Sequence, residues 1–306
     1  MEKQAVLLMS YGTPNRTEEI WDYYTHIRHG KEPSQALYDE LVGRYEEIGG
    51  VSPLAHITEA QRAAIEEKLN ESGTGEYQVF NGLRHIHPFI EETLTEILNQ
   101  GFTSIHGLVL APHRSTFIDQ YHERVEAKLQ THPEVTYHPH YHFWQATGFL
   151  TFWSDQIQAA LHPTRKQKFL FTAHSLPERL LANGDPYVDE IKEAAQAIVN
   201  QVEGTVDFAN AWQSVGRTAD KWIGPNVEDV TEALVTQENY EEIIYLPFGF
   251  VADNLETLYD NDIECKEQVE ALGGHYKRLA MPNVHPDFIA GVVSELLSSN
   301  GFCCKV

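Results

Sequence analysis

The 306 residues, 42% hydrophobic and 22% charged, suit a globular chain of about two domains, and no apolar run approaches the roughly 18 residues that cross a bilayer. A formal net charge of −23 argues against a nucleic-acid partner, whose phosphates demand a positive surface, and leaves a few local arginines to recognise any anionic ligand. Met1–Val6 lacks the charged and apolar regions of a secretory leader, and three cysteines, two of them adjacent at Cys303 and Cys304, cannot build a disulfide framework, so a reduced, cytoplasmic chain is expected.

The first predicted strand is Ala5–Tyr11 (AVLLMSY), an apolar run stopped by Gly12 and Pro14. Helical periodicity follows at Thr17–Arg28, Gln35–Ile48 and Leu54–Asn70. Tyr77–Leu83 reads as a second strand, Pro88–Asn99 as a helix, Ile105–Ala111 as a third strand, Ile118–Leu129 as a helix and Val135–Phe143 as a fourth strand. The alternation then restarts. Strands are predicted at Phe169–Ala173, Val206–Trp212, Ile243–Pro247 and, weakly, His275–Leu279; helices at Pro186–Gln201, Val227–Gln237, Asn254–Leu272 and Pro286–Ser298. Two such rounds predict an α/β chain of two similar doubly wound, Rossmann-like domains with parallel sheets flanked by helices. Their expected extents are residues 1–146 and 147–306, with the last helix a candidate to pack back on the first domain.

In such folds ligands sit beyond the carboxyl ends of the strands, which selects Tyr11, His85, His113, His174 and the segment from Phe248 onward. His174 closes an apolar strand, placing an imidazole at the mouth of a sheet where it can ligate a metal or take a proton. No Gly-x-Ser-x-Gly elbow surrounds Ser175, so a serine hydrolase is a poor reading. Glu256, Asp260 and Glu264 stand at i, i+4 and i+8 and share one face of a helix. A solvated acidic face is their simplest account, yet the row begins just past a strand and the same helix carries Leu255, Leu258 and Tyr259. An imidazole facing a carboxylate is a mixed nitrogen–oxygen site that suits Fe²⁺. His138, His140 and His142 alternate along the fourth strand, as a half-solvated strand or a second metal site. Arg28 and Arg44, with Tyr45 and Ser52 close in sequence, are candidate carboxylate clamps or, more simply, charges completing helix dipoles.

Several of these residues lie in motifs that resemble the ferrochelatases. Ser10-Tyr-Gly-Thr-Pro14, Tyr23-Tyr-Thr-His-Ile-Arg-His-Gly30 and Arg44-Tyr-Glu-Glu-Ile-Gly-Gly-Val-Ser-Pro-Leu54 look like the family's N-terminal half. Thr172-Ala-His-Ser-Leu-Pro-Glu178, Trp212-Gln-Ser, Trp222-Ile-Gly-Pro225 and Phe250-Val-Ala-Asp-Asn-Leu-Glu-Thr-Leu-Tyr-Asp-Asn-Asp262 look like its C-terminal half. The likeness is greatest to the short, soluble enzymes of Gram-positive bacteria that act on coproporphyrin III. It implies a chelatase-like fold with the active site in an interdomain cleft, a porphyrin substrate, Fe²⁺ as the second substrate and a role in haem biosynthesis. His174 and Glu256 would be the catalytic pair and, with Asp260 and Glu264, the metal-binding set, leaving place for an accessory divalent cation at the acidic helix. Tyr11 would lie near the metal of the product, and Arg28, Arg44, Tyr45, Ser52 and Tyr121 would contact the porphyrin. Cys303 and Cys304 do not match the ligands of the iron–sulfur cluster found in some relatives, so none is expected, and a monomer is the default. The chain departs from the family's usual pattern at Val215, at Arg114 and in the histidine-rich segment before Trp144. Protoporphyrin IX as substrate, a chelatase for cobalt or nickel, and a non-catalytic tetrapyrrole or metal carrier are the rival readings.

Overall fold

The computed structural model describes residues 3–216 and 218–298. It divides into two compact units, one running to Phe149 and taking in the chain from Asn283 onward, the other Leu150–Pro282. The first begins with β1 (Lys3–Ser10), then α1 (Ile20–Ile27), α2 (Gln35–Glu47), α3 (Leu54–Glu71), β2 (Glu76–Leu83), α4 (Ile90–Asn99), β3 (Ser104–Val109), α5 (Thr116–Leu129) and β4 (Thr136–His140). Helix α6 (Thr147–Ala160) leads into the second unit. There follow β5 (Gln167–His174), α7 (Arg179–Ala182), α8 (Tyr187–Val199), β6 (Phe208–Gln213), α9 (Val227–Thr236) and β7 (Glu242–Leu246). A π-helical segment (Thr257–Cys265), α10 (Lys266–Ala271) and β8 (His275–Arg278) complete it, and α11 (Pro286–Leu297) belongs to the first unit.

Each unit holds a four-stranded parallel sheet, in the orders β2-β1-β3-β4 and β6-β5-β7-β8. In both, the first strand of the unit lies inside the sheet and later strands are added on either side of it. The winding therefore reverses direction between β1 and β3, and again between β5 and β7, which is where open α/β sheets bind ligands. Ala5 to Met9 of β1 are at most 1% exposed, which accounts for a continuous apolar run rather than an alternating one. Leu7, Met9, Leu94, Ile97 and Val125 pack together in the first unit; Leu170, Leu234, Ile243, Tyr245 and Val269 do so in the second. Each such side chain contributes about 1.5–3 kcal/mol on burial.

The structure differs from the sequence expectation in several places. Helix α6 was not foreseen, because TGFLTFW combines glycine with β-branched and aromatic residues that favour strands, and tertiary packing overrides them. Gly148 makes that packing feasible: a Cβ there would lie 1.9 Å from the carbonyl oxygen of Asp287. The helix expected over Asn254–Leu272 is largely π-helical. Strand β4 ends at His140, so His142 lies beyond it and does not extend the row of His138 and His140.

Candidate active site

Strand β5 delivers His174 to the carboxyl edge of the second sheet, at the point where the winding reverses. Glu256 arrives from the β7 side. After Leu246 the chain passes close over β5: the Gly249 amide donates to the Thr172 carbonyl at 3.2 Å, and a Cβ on Gly249 would come 2.7 Å from the Ala173 Cβ. Asn254 and Thr257 then cap the next helix reciprocally, each side chain accepting from the other's backbone N–H at 3.0 and 2.9 Å. The result is a contact of 2.8 Å between His174 Nδ1 and Glu256 Oε2.

A third side chain joins them from β6. Ser214 follows the last residue of that strand with φ +58°, in the left-handed region that costs a non-glycine residue of order 1–3 kcal/mol. Its Oγ lies 2.7 Å from Glu256 Oε2 and 2.5 Å from Asp260 Oδ2, bridging two of the three acids. Tyr187 Oη donates to the His174 carbonyl at 3.2 Å and fixes the strand end from behind. The sequence assigns no role to Ser214 or Tyr187; Ser214's place immediately after a strand, at the end of the Trp212-Gln-Ser motif, is the available signal. Ser175 is fully buried and donates to the Ile223 carbonyl at 2.7 Å, a structural bond that leaves no nucleophile.

The acids follow a π-helix rather than an α-helix. The Lys266 N–H reaches the Asn261 carbonyl, an i→i+5 bond that widens the turn and alters how residues four apart align. Along it Glu256 is half-buried, Asp260 buried and Glu264 exposed, so the middle acid is the most covered and the row opens to solvent toward Glu264. Arg278 holds the segment from the outside, with Nε and Nη2 each 2.8 Å from the Asp262 carboxylate and Nη2 3.0 Å from Asp253 Oδ1. The Arg278 side chain is 13% exposed. Arg278→Ala strands two partly buried carboxylates and is expected to destabilise the protein by about 3 kcal/mol, measured from the urea unfolding midpoint. An unchanged midpoint would show the clamp to be idle.

Burial works against a charged His174, but the Glu256 carboxylate and its hydrogen bond, with help from Asp260, outweigh it and raise the imidazole pKa above its ordinary value. The side chain is still 38% exposed. Such a pair can bind a cation through nitrogen and oxygen or accept protons in succession.

The first unit carries the other expected site residues. Tyr11 is 45% exposed, its ring 4.4 Å from that of His85. His85 Nδ1 lies 3.0 Å from His26 Nδ1. Burial, aided by Arg84, lowers the His85 pKa to about 3, and burial likewise lowers that of His26, so the pair is neutral and shares one ring proton. Tyr45 is buried with its hydroxyl 3.4 Å from Thr13 Oγ1, and Ser52 Oγ accepts from the Leu54 N–H at 3.2 Å at the start of α3. Tyr121 is also buried, under the Arg84 guanidinium at 5.0 Å, and burial pushes its phenol up to about 12. Arg28 and Arg44 end α1 and α2, where Arg28 Nε donates to the Lys31 carbonyl at 3.3 Å and Arg44 lies 3.4 Å from Glu40. His113 is buried beside Phe149, and Arg114 is paired with Asp119 at 3.0 Å. Cys303 and Cys304 lie outside the described residues. Among the described residues no helix is long and apolar enough to cross a membrane.

Comparison with known proteins agrees with this picture over almost the whole chain. "SirB from Bacillus subtilis with Fe3+" superposes with a TM-score of 0.59 at 13% identity, covering 97% of this chain and 94% of that one. CbiX, "the terminal Enzyme for Biosynthesis of Siroheme in Denitrifying Bacteria", gives 0.54 at 12% identity, covering 96% and 99%. These likenesses establish the fold. In sequence the chain is 44% identical over 306 residues to a coproporphyrin III ferrochelatase of Oceanobacillus iheyensis, covering 97% of each chain. It is 40% identical to that of Bacillus subtilis, covering 98% of this chain and 99% of the relative. The family model described as Ferrochelatase matches residues 3–299. With the His174–Glu256 pair at the reversal point of a chelatase fold, the chain belongs to the ferrochelatase family.

Proposed function

We propose that the protein inserts Fe²⁺ into coproporphyrin III, working in the cytoplasm as a monomer without an iron–sulfur cluster. The observation that supports this most directly is the 2.8 Å contact of His174 with Glu256, taken with full-length relatives that carry that activity in their names. Insertion exchanges two pyrrole N–H protons for one metal ion. His174, neutral, accepts a proton or binds iron through Nε2 while its Nδ1–H remains on Glu256. Asp260 and Glu264 continue the acidic path along the π-helix toward solvent, where an accessory divalent cation would bind. Tyr11, Arg28, Arg44, Tyr45, Ser52 and Tyr121 contact the porphyrin, the two guanidinium groups meeting its propionates.

Coproporphyrin III carries four carboxylates and protoporphyrin IX two, so the number of cations that engage the ring decides the preference. Anaerobic assays with purified protein, Fe²⁺ and each porphyrin are expected to give kcat/KM at least tenfold higher for coproporphyrin III. Equal values would remove the substrate assignment, and stoichiometric binding without turnover would make the protein a carrier.

A further inference from the structure

The histidines of β4 take no part in the site just described. β4 forms the edge of the first unit's sheet, and its register with β3 sets His138 beside His106. His140, two residues on, points to the same face. The His106 ring stacks on His138 with centroids 4.7 Å apart, and lies 5.5 Å from His140 with only 26° between the planes.

His106 and His140 meet nitrogen to nitrogen, Nδ1 of the first 3.1 Å from Nε2 of the second. Their outer nitrogens both face oxygen acceptors. His106 Nε2 donates to Gln4 Oε1 at 2.9 Å, and His140 Nδ1 donates to Glu295 Oε1 of α11 at 3.0 Å. A neutral imidazole that donates from one nitrogen presents a lone pair on the other. When both rings are neutral, two lone pairs oppose each other at 3.1 Å, and a cation between them relieves the repulsion.

The spacing fits a metal ion. Two nitrogens 3.1 Å apart, each about 2.05 Å from zinc, subtend about 98° at the metal, near the tetrahedral angle. Each imidazole already has the oriented outer N–H that metal-bound histidines carry, one on a carboxylate and one on an amide carbonyl. We propose that His106 and His140 chelate a divalent transition-metal ion of the zinc, cobalt or nickel type, with His138 as the third ligand, at a site separate from His174 and Glu256.

Among the described residues no three such side chains converge on one point as they stand, so the His138 ring turns out of its stack to join, and water takes the fourth position. His140 is 3% exposed while His106 and His138 are part-exposed, so the ion enters from the His138 side. Burial, with His140 and His138 alongside, lowers the His106 pKa to about 3, so a proton competes poorly for its Nδ1. Imidazole nitrogen suits these borderline metals, and the ion would tie β3, β4 and, through Glu295, α11 together.

Metal-free protein titrated with Co²⁺, followed by calorimetry and by the visible absorption of the bound ion, tests this. Wild type is expected to bind one more equivalent than His140→Gln or His106→Gln, with iron insertion equal in all three. Glu295→Gln, a milder change on α11, is expected to keep the equivalent with about 10- to 100-fold weaker affinity. Should the wild type bind no more Co²⁺ than His140→Gln, or Glu295→Gln bind it as tightly as wild type, a proton alone bridges the pair and the site is not a metal site. If the histidine variants fail to fold, the Glu295→Gln affinity decides. Iron insertion is assayed separately, so failure here leaves the role of His174 untouched.

Discussion

His174→Ala is expected to lower kcat for iron insertion by about 10²- to 10⁴-fold, the range a positioned acid–base group contributes. The imidazole supplies a nitrogen base at this strand end, held by a hydrogen bond to a carboxylate. Removing it leaves Glu256 and Asp260 tied to Ser214, so the acids keep their places but the nitrogen is lost. The proposed porphyrin contacts belong to the other unit, so binding of the ring, followed by quenching of its fluorescence, is expected to change less than threefold. That separation matters: a fall in kcat with porphyrin affinity retained assigns His174 to the insertion step, whereas a parallel loss of both would mean that the β5 end has collapsed. A variant inserting Fe²⁺ at the wild-type rate would end the assignment.

Much of the second unit is legible because its signals are local. FLFTA followed by His174 is a buried strand ending in an imidazole, and Gly249 and the Asn254–Thr257 cap place the next helix against it. What periodicity does not reveal is the winding of that helix. An α reading and a π reading of residues 257–265 share the same apolar positions, and the difference is settled by tertiary bonds such as the Arg278 clamp on Asp262 and Asp253. Ser214 closes the Trp212-Gln-Ser motif, but its role is hidden in the sequence for a related reason: it rests on a positive φ and on two acids more than forty residues away. In the first unit the family motifs single out Arg28, Arg44, Tyr45 and Ser52 and the resemblance adds Tyr121, but no sequence rule distinguishes the exposed Tyr11 from the buried Tyr121. The His106–His140 contact needed the β3–β4 register, since its members lie 34 residues apart.

Glu256→Gln separates the carboxylate's two roles. Charge and hydrogen bond from Glu256 raise the His174 pKa against the effect of burial, so the neutral amide leaves burial less opposed and the pKa falls. His174 must be neutral to accept a proton, so kcat/KM rises with pH through that pKa. The acidic limb of the wild-type profile is thus expected above the ordinary histidine value, and that of Glu256→Gln at lower pH, together with a fall in kcat of about 10²-fold from the lost proton acceptor. Stability follows the same linkage with a defined sign. A raised folded-state pKa stabilises the protein fully below the unfolded value near 6.5, and the contribution disappears as pH rises through the folded value. The melting temperatures of wild type and variant are therefore expected to differ most in mildly acidic buffer and to converge toward alkaline pH. If the limb stays in place, or the gap in Tm widens with increasing pH, Glu256 does not set the charge on His174, and its carboxylate acts on the metal alone.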